Sequence, residues 1–178
     1  MGLLDGKSIV ITGSGGGIGA AYASLAAAEG AAVVVNDIDE RIAEETAAAI
    51  RQAGGTAITC IADVSDWSEA RRLIDTCVNE FGAIDGLVNN AGIQVVGAPA
   101  EMNDRTVNRL MAINVMGTIF CGTHAIAVMS AAGRGSIVNV TSGAHMGLGA
   151  YAIYGASKGA ISSLTYCWAL DVESRGNR

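Results

Sequence analysis

The sequence predicts an α/β fold, a doubly wound parallel sheet with helices on both faces. Three observations carry that prediction. Short apolar runs alternate five times with longer amphipathic stretches. The runs are rich in Val and Ile and too apolar to leave one face in water, which is the pattern of parallel strands covered on both sides. Glycines stand where a helix must end in a left-handed residue. Strand, helix, strand repeated in this way gives parallel pairing through right-handed crossovers.

The elements follow in order. Ser8 to Thr12 reads as the first strand, and the turn Thr12-Gly-Ser-Gly-Gly-Gly-Ile-Gly19 leads into a helix from Ile18 to Glu29, closed by Gly30. Ala32 to Asn36 is the second strand. A helix from Glu40 to Ala53 follows, with Asp39 before it as an N-cap and Gly54-Gly55 after it. Thr56 to Ile61 is the third strand. Asp66 and Glu69 have the spacing of a capping box for a helix from Ser68 to Phe81, which Gly82 closes. Leu87 to Asn89 is the fourth strand, and one long helix is predicted from Asp104 to Ala131, ended by Gly133. Ser136 to Thr141 is the fifth strand, and Ala152 to Glu173 the last helix. No linker or internal repeat interrupts the alternation, so one domain over residues 1–178 is expected.

Composition narrows the function classes. Apolar residues make up 51% of the chain and charged ones 16%, which favours a packed core over disorder. A net charge of −6 and no lysine cluster argue against nucleic acid as a partner. No signal-like leader is visible and no uninterrupted apolar segment reaches membrane-spanning length, so no membrane partner is expected and the default location is cytoplasmic. Cys60, Cys77, Cys121 and Cys167 lie far apart with no histidine pair nearby, which reads as buried reduced thiols and no metal site.

Chemistry should gather beyond the carboxyl ends of parallel strands, and the polar motifs fall there. After the first strand, glycines at 13, 15, 16, 17 and 19 let backbone approach a pyrophosphate held at a helix N-terminus, although a tight left-handed connection would account for them as well. After the second strand, Asp37 lies eighteen residues beyond Gly19, where a carboxylate can accept from an adenosine ribose. The same charge would repel a 2′-phosphate, so NAD is expected rather than NADP. A helix-start role is the alternative for Asp37. Tyr154 and Lys158 stand four apart in Tyr-Gly-Ala-Ser-Lys, so on a helix phenol and ammonium share a face. Lys7 and Lys158 are the only lysines in the chain.

These motifs, in this order, resemble the short-chain dehydrogenase/reductase family, in its group with a Thr-Gly-x-x-x-Gly-x-Gly turn. Thr12, Gly13, Gly17 and Gly19 fit that turn, Asp63-Val64 the family's adenine contact, and Asn89-Asn90-Ala91-Gly92 the motif after its fourth strand. Asn114, Ser142, Tyr154 and Lys158 match its catalytic tetrad. The resemblance covers essentially the whole chain. It implies a Rossmann-type sheet, a cofactor site that includes Ile18, Asn90, Ala91 and Gly92, and hydride transfer between NAD(H) and a secondary alcohol or ketone.

A phenol can both give and take a proton only where positive charge favours its anion, and Lys158 lies one turn away to supply it. The resemblance adds that Lys158 bonds the nicotinamide ribose, that Ser142 steadies the substrate oxygen, and that Asn114 anchors a water. A satisfied core amide is the alternative for Asn114, and a strand-end turn former for Ser142. His145 and Met146, with Gln94 and Val95, are candidates for the reacting end of the pocket, and His124 reads as structural. A homodimer or homotetramer through the long apolar helices is implied as well.

The sequence departs from the family pattern twice. Ser142 and Tyr154 are twelve residues apart, one fewer than the pattern, so residues 143–152 either shift Ser142 or absorb a deletion. The sequence also stops at Arg178 where the family continues into two more strands and a substrate cover; a sheet without its last two strands, open on one side, is expected unless further residues follow Arg178, which is the favoured reading. Two rival readings follow: a fragment that binds dinucleotide without turnover, and a scaffold with a vestigial site.

Overall fold

The apolar runs pair as a parallel sheet. In the computed structural model, which describes residues 2–173, the strands are β1 (Ser8–Ile11), β2 (Ala32–Asp37), β3 (Thr56–Ile61), β4 (Gly86–Asn89) and β5 (Ser136–Asn139). Their order is β3-β2-β1-β4-β5, all parallel. The helices are α1 (Gly17–Ala28), α2 (Glu40–Gln52), α3 (Trp67–Phe81), α4 (Asp104–Met111), α5 (Thr118–Ala132) and α6 (Ala152–Glu173). This is the doubly wound Rossmann-type arrangement, with five strands described where the resemblance implies seven. What the sequence reading places beyond Arg178 lies outside the described residues.

Side chains alternate along each strand, so the sheet divides the core in two. Val10, Val34 and Leu87 face α3 and α5, where they meet Leu73, Ile74, Cys121 and Ala125. Ile9, Ile11, Val33 and Val35 face α1 and α2, where they meet Ala23, Ala27, Ala43 and Ala47. The alanines on that side bring the helices close. Each fully buried Leu or Ile contributes about 1.5–3 kcal/mol relative to exposure. On β5 the cover thins: Val138 is 55% exposed.

Helix ends follow the predicted chemistry with one change. Gly30, Gly54, Gly82 and Gly133 all have positive φ, as their cap positions require. Asp39 accepts from the N–H groups of Arg41 and Ile42, and Asp66 from those of Ser68 and Glu69. The expected box at Asp66 is not closed. The Glu69 carboxylate accepts from the Asp63 N–H at 2.6 Å instead, because β3 ends close by and leaves that donor free of the ladder.

The single helix expected from Asp104 to Ala131 is α4 and α5 joined by a π-helical turn over Ala112–Gly117. Contrary to the sequence expectation, the continuous run Asp104–Ala132 is long and apolar enough to cross a membrane by length and composition. It is a core helix here: Leu110, Asn114, Gly117, Cys121 and Ala125 run along its buried side. Cys60, Cys77 and Cys121 are buried as expected, whereas Cys167 is exposed. Burial pushes the Cys121 and Cys77 thiols up to about 12.

Candidate active site

The strand order reverses between β1 and β4, and a crevice forms where the chain turns away on both sides. A cavity of about 490 Å³ lies there, within the range of small-molecule sites. One wall is the turn after β1. Its Ser14 hydroxyl is buried, donates to the Ile11 carbonyl and accepts from the Asn36 N–H. The Asn36 amide donates in turn to Cys60 and Ala62 carbonyls, which ties β1, β2 and β3 together under the cavity.

From the other side, Asn90 donates to the carbonyls of Thr12 and Gly13, and the Thr12 hydroxyl accepts from the N–H groups of Asn90 and Ala91. The Asn90 side chain therefore holds the turn in shape. A Cβ on Gly19 would stand 2.2 Å from the Gly13 carbonyl oxygen, and one on Gly13 2.8 Å from the Ala91 backbone. These two glycines are required by close packing. Gly16 and Gly17 differ, for a Cβ on either would enter open space, and Gly17 has φ +56.

The start of α1 fits an anion. Side chains cap α2, α3 and α4, yet no side chain caps α1 and no acidic residue lies in its first turn. Its first N–H groups sit beside Gly13, Gly16 and Gly19, which line the cavity. Uncapped N–H groups at the positive end of a helix are what a diphosphate needs.

The carboxylates frame the far end. Asp37 lines the cavity, with one oxygen accepting from the Gly15 N–H at 3.1 Å and the other from the Ile38 N–H at 2.8 Å. It is held at the strand end while Asp39 does the capping. Asp63 and Val64 line the same region, as does Ile18, which is 64% exposed. Arg109 lines it too, and sequence reasoning missed it because its partner, Asp63, is 46 residues away.

At the near end, Ala91, Gly92, Tyr154 and Lys158 line the cavity. Lys158 is buried, donates to the Val140 carbonyl at 2.8 Å, and has its ammonium 5.8 Å from the centre of the Tyr154 ring. Burial pushes its pKa below the ordinary lysine value. Asn114 is 1% exposed and lies on the π turn behind Gly92. Its amide exchanges bonds with the Ile93 backbone, accepting at 2.8 Å and donating at 2.9 Å, and also donates to the Ser157 hydroxyl. A π turn widens the helix and exposes a carbonyl, which the Thr118 hydroxyl takes up here.

Not every expected residue reaches the cavity. Ser142 heads the short 3₁₀ turn Gly143–Met146, and its hydroxyl accepts from the Ala144 N–H at 3.2 Å. Gly155 lets that turn pack on α6 beside Tyr154, since a Cβ there would meet the Ala144 carbonyl at 2.7 Å. The shortened interval before Tyr154 is spanned with Gly147 at φ +109 and Ala150 at φ +66. Gln94 lines the cavity, but Ser142, Val95, His145 and Met146 are not among its lining residues, and neither is Gly17. The His145 ring bonds the Ser142 carbonyl instead. His124 packs its ring on Trp67, the structural role expected of it.

An uncapped helix at a glycine turn, carboxylates at one end and a lysine beside a phenol at the other define a dinucleotide-binding oxidoreductase fold. The profile of the short chain dehydrogenase family matches residues 7–177, and the chain belongs to that family. It is 42% identical over 172 residues to cis-4-hydroxycyclohexanecarboxylate dehydrogenase of Sinomonas cyclohexanicum, covering 95% of this chain and 68% of that protein. The crystal structure of NAD+-bound xylitol dehydrogenase superposes with a TM-score of 0.93 at 35% identity, over 97% of this chain and 67% of that one. Gluconate 5-dehydrogenase of Burkholderia cenocepacia, in complex with NADP and tartrate, gives 0.89 at 36%, over 97% and 68%. The chain thus spans about two thirds of the length of these relatives.

Proposed function

We propose that this chain carries the cofactor and proton-transfer site of an NAD(H)-dependent oxidoreductase acting on a secondary alcohol or ketone. The observation that carries the reading is the buried Lys158 ammonium beside Tyr154, on the wall of the same cavity that Asp37 lines. The bound nicotinamide would supply or accept the hydride. Gly13, Gly19 and the start of α1 would hold its diphosphate.

Tyr154 is the general acid and base in this reading, giving its proton to a carbonyl oxygen in reduction and taking one from an alcohol in oxidation. Lys158 favours the tyrosinate by charge. An ammonium has three protons, and Val140 takes one, so the others can serve a ribose. Both Asn114 Nδ2 protons and the Ile93 N–H are engaged, so a water would be anchored by the second lone pair of the Asn114 Oδ1 or of the Ile93 carbonyl. Ser142 would reach a substrate oxygen with its hydroxyl proton while still accepting from Ala144.

The preference for NAD rests on Asp37, because a carboxylate at that wall accepts from ribose hydroxyls and repels a 2′-phosphate. The dehydrogenase relatives, with xylitol and a hydroxycyclohexanecarboxylate in their names, favour a small alcohol as substrate. Self-association belongs to the same reading, since Tyr166 and Leu170 stand exposed one turn apart on α6. A monomer by light scattering at micromolar concentration would remove that part.

The deciding experiment is Tyr154→Phe. It is expected to lower kcat by about 10²–10⁴-fold while NADH fluorescence titration stays as in the parent. Full turnover in the variant would sink the assignment, and NADH binding by a parent protein inactive on a panel of alcohols would favour a binding fragment.

A further inference from the structure

Arg109 sits on α4, five residues before Asn114, and its guanidinium is half-exposed on the cavity wall. Its Nη1 donates to Asp63 Oδ2 at 3.2 Å and to the Ser65 hydroxyl at 3.3 Å. The other carboxylate oxygen, Oδ1, accepts from the Ser65 N–H at 2.9 Å and from its hydroxyl at 2.6 Å. Both oxygens are therefore fixed by donors. Partial burial alone would raise the Asp63 carboxyl, but the bonds from Ser65 and Arg109 outweigh it, and its pKa is lowered.

An ionised carboxylate accepts only, with about four lone-pair sites, and three are engaged here. The remaining site is on the oxygen that Arg109 holds. Such a group welcomes an amino substituent and repels an oxo one. A guanidinium is planar and weakly hydrated, and it packs against aromatic rings in a way an ammonium does not. A half-exposed ion pair adds little to fold stability, so the fold does not need this arginine.

We propose that Arg109 is a positioning and specificity residue for the adenine end of the cofactor. It aims the Asp63 carboxylate at the purine 6-amino group and lays its own guanidinium along the ring. The proposal rests on the reading that the cavity holds a dinucleotide with its adenine beside Asp63.

The test compares parent, Arg109→Met and Arg109→Lys by calorimetric titration with AMP, nicotinamide mononucleotide, NADH and NADPH, alongside thermal unfolding without ligand. Arg109→Met is expected to weaken AMP binding about tenfold, or about 1.4 kcal/mol. Mononucleotide binding and unfolding temperature should stay unchanged. In turnover, the KM for NAD should rise by the same factor at constant kcat, and the preference for NAD over its hypoxanthine analogue should shrink. Arg109→Lys should recover the charge pairing with Asp63 and part of the AMP affinity.

Unaltered AMP binding in Arg109→Met overturns the proposal, as does an equal loss for AMP and mononucleotide. A loss confined to NADPH would make Arg109 a reader of the 2′-phosphate and overturn it too. If the parent binds neither AMP nor NADH, the dinucleotide reading itself falls and takes this proposal with it.

Discussion

Lys158 holds a charge where charge is disfavoured. Burial lowers its pKa from the ordinary 10.5, so between the folded value and 10.5 the unfolded chain binds more protons than the folded one. Stability therefore rises with pH across that alkaline window, and below it the folded protein bears the full penalty of a buried ammonium. Lys158→Met should flatten the rise, as read from denaturant unfolding at a series of alkaline pH values. Equal slopes in parent and variant would show that Lys158 does not carry it. The same variant should lose turnover, since an unfavourable buried charge is retained where it serves Tyr154. Asp37 gives a second residue-scale prediction. Asp37→Ala should raise the KM for NAD about tenfold, near 1.4 kcal/mol, and lower that for NADP. An unchanged ratio of the two would remove the argument for NAD. The sequence disclosed Tyr154, Lys158 and Asp37 because each lies at a fixed local offset from a strand or helix. Arg109 has no such offset: its role comes from Asp63, brought beside it by tertiary structure.

At the scale of elements, apolar period and glycine caps located all five strands and the helices to within a residue or two. The π turn escaped, because one extra residue in a helix leaves composition and mean hydropathy unchanged and only slips the apolar stripe. Its consequence is local. The extra residue lets Asn114 reach the Ile93 backbone while Cys121, Ala125 and Met129 of α5 keep their places in the core. Deleting Met116, which is 41% exposed, should restore a regular helix and turn Asn114 by about 100° out of register. Circular dichroism should show an unchanged helix content and NADH should still bind, but turnover should fall steeply. Turnover at the parent rate would mean that Asn114 has no part in the reaction. The Glu69 carboxylate departs from the spacing for a related reason: the sequence offers it to the Asp66 N–H, but the ladder-free Asp63 N–H just past β3 takes it.

For the whole molecule, the alternation of strands and helices was enough to predict a parallel, doubly wound sheet, but it left the strand order open, and the order β3-β2-β1-β4-β5 is fixed by tertiary packing. The site is divided between the two halves of that topology. Gly13, Gly19 and Asp37 come from the β1 to β3 half, whereas Ala91, Tyr154 and Lys158 come from beyond the switch point. In the described residues the halves meet along the β1 and β4 pairing of three residue pairs, through Thr12 and Asn90, through the Asp63 and Arg109 ion pair, and across the core where Val10, Leu73 and Ile74 pack with Leu87, Cys121 and Ala125. A dinucleotide across the cavity would touch both halves, and it binds only when they are assembled. NADH at a hundred times its Kd should then stabilise the fold by about 2.7 kcal/mol, which is about 5–10 °C in unfolding temperature for a chain of this size. NADPH at the same concentration should give a smaller shift, because of Asp37. AMP should protect less than NADH, since it leaves Tyr154 and Lys158 uncovered. If AMP protected as fully as NADH, the nicotinamide end would contribute nothing to binding, and the case for hydride transfer beside Tyr154 would lose its structural basis.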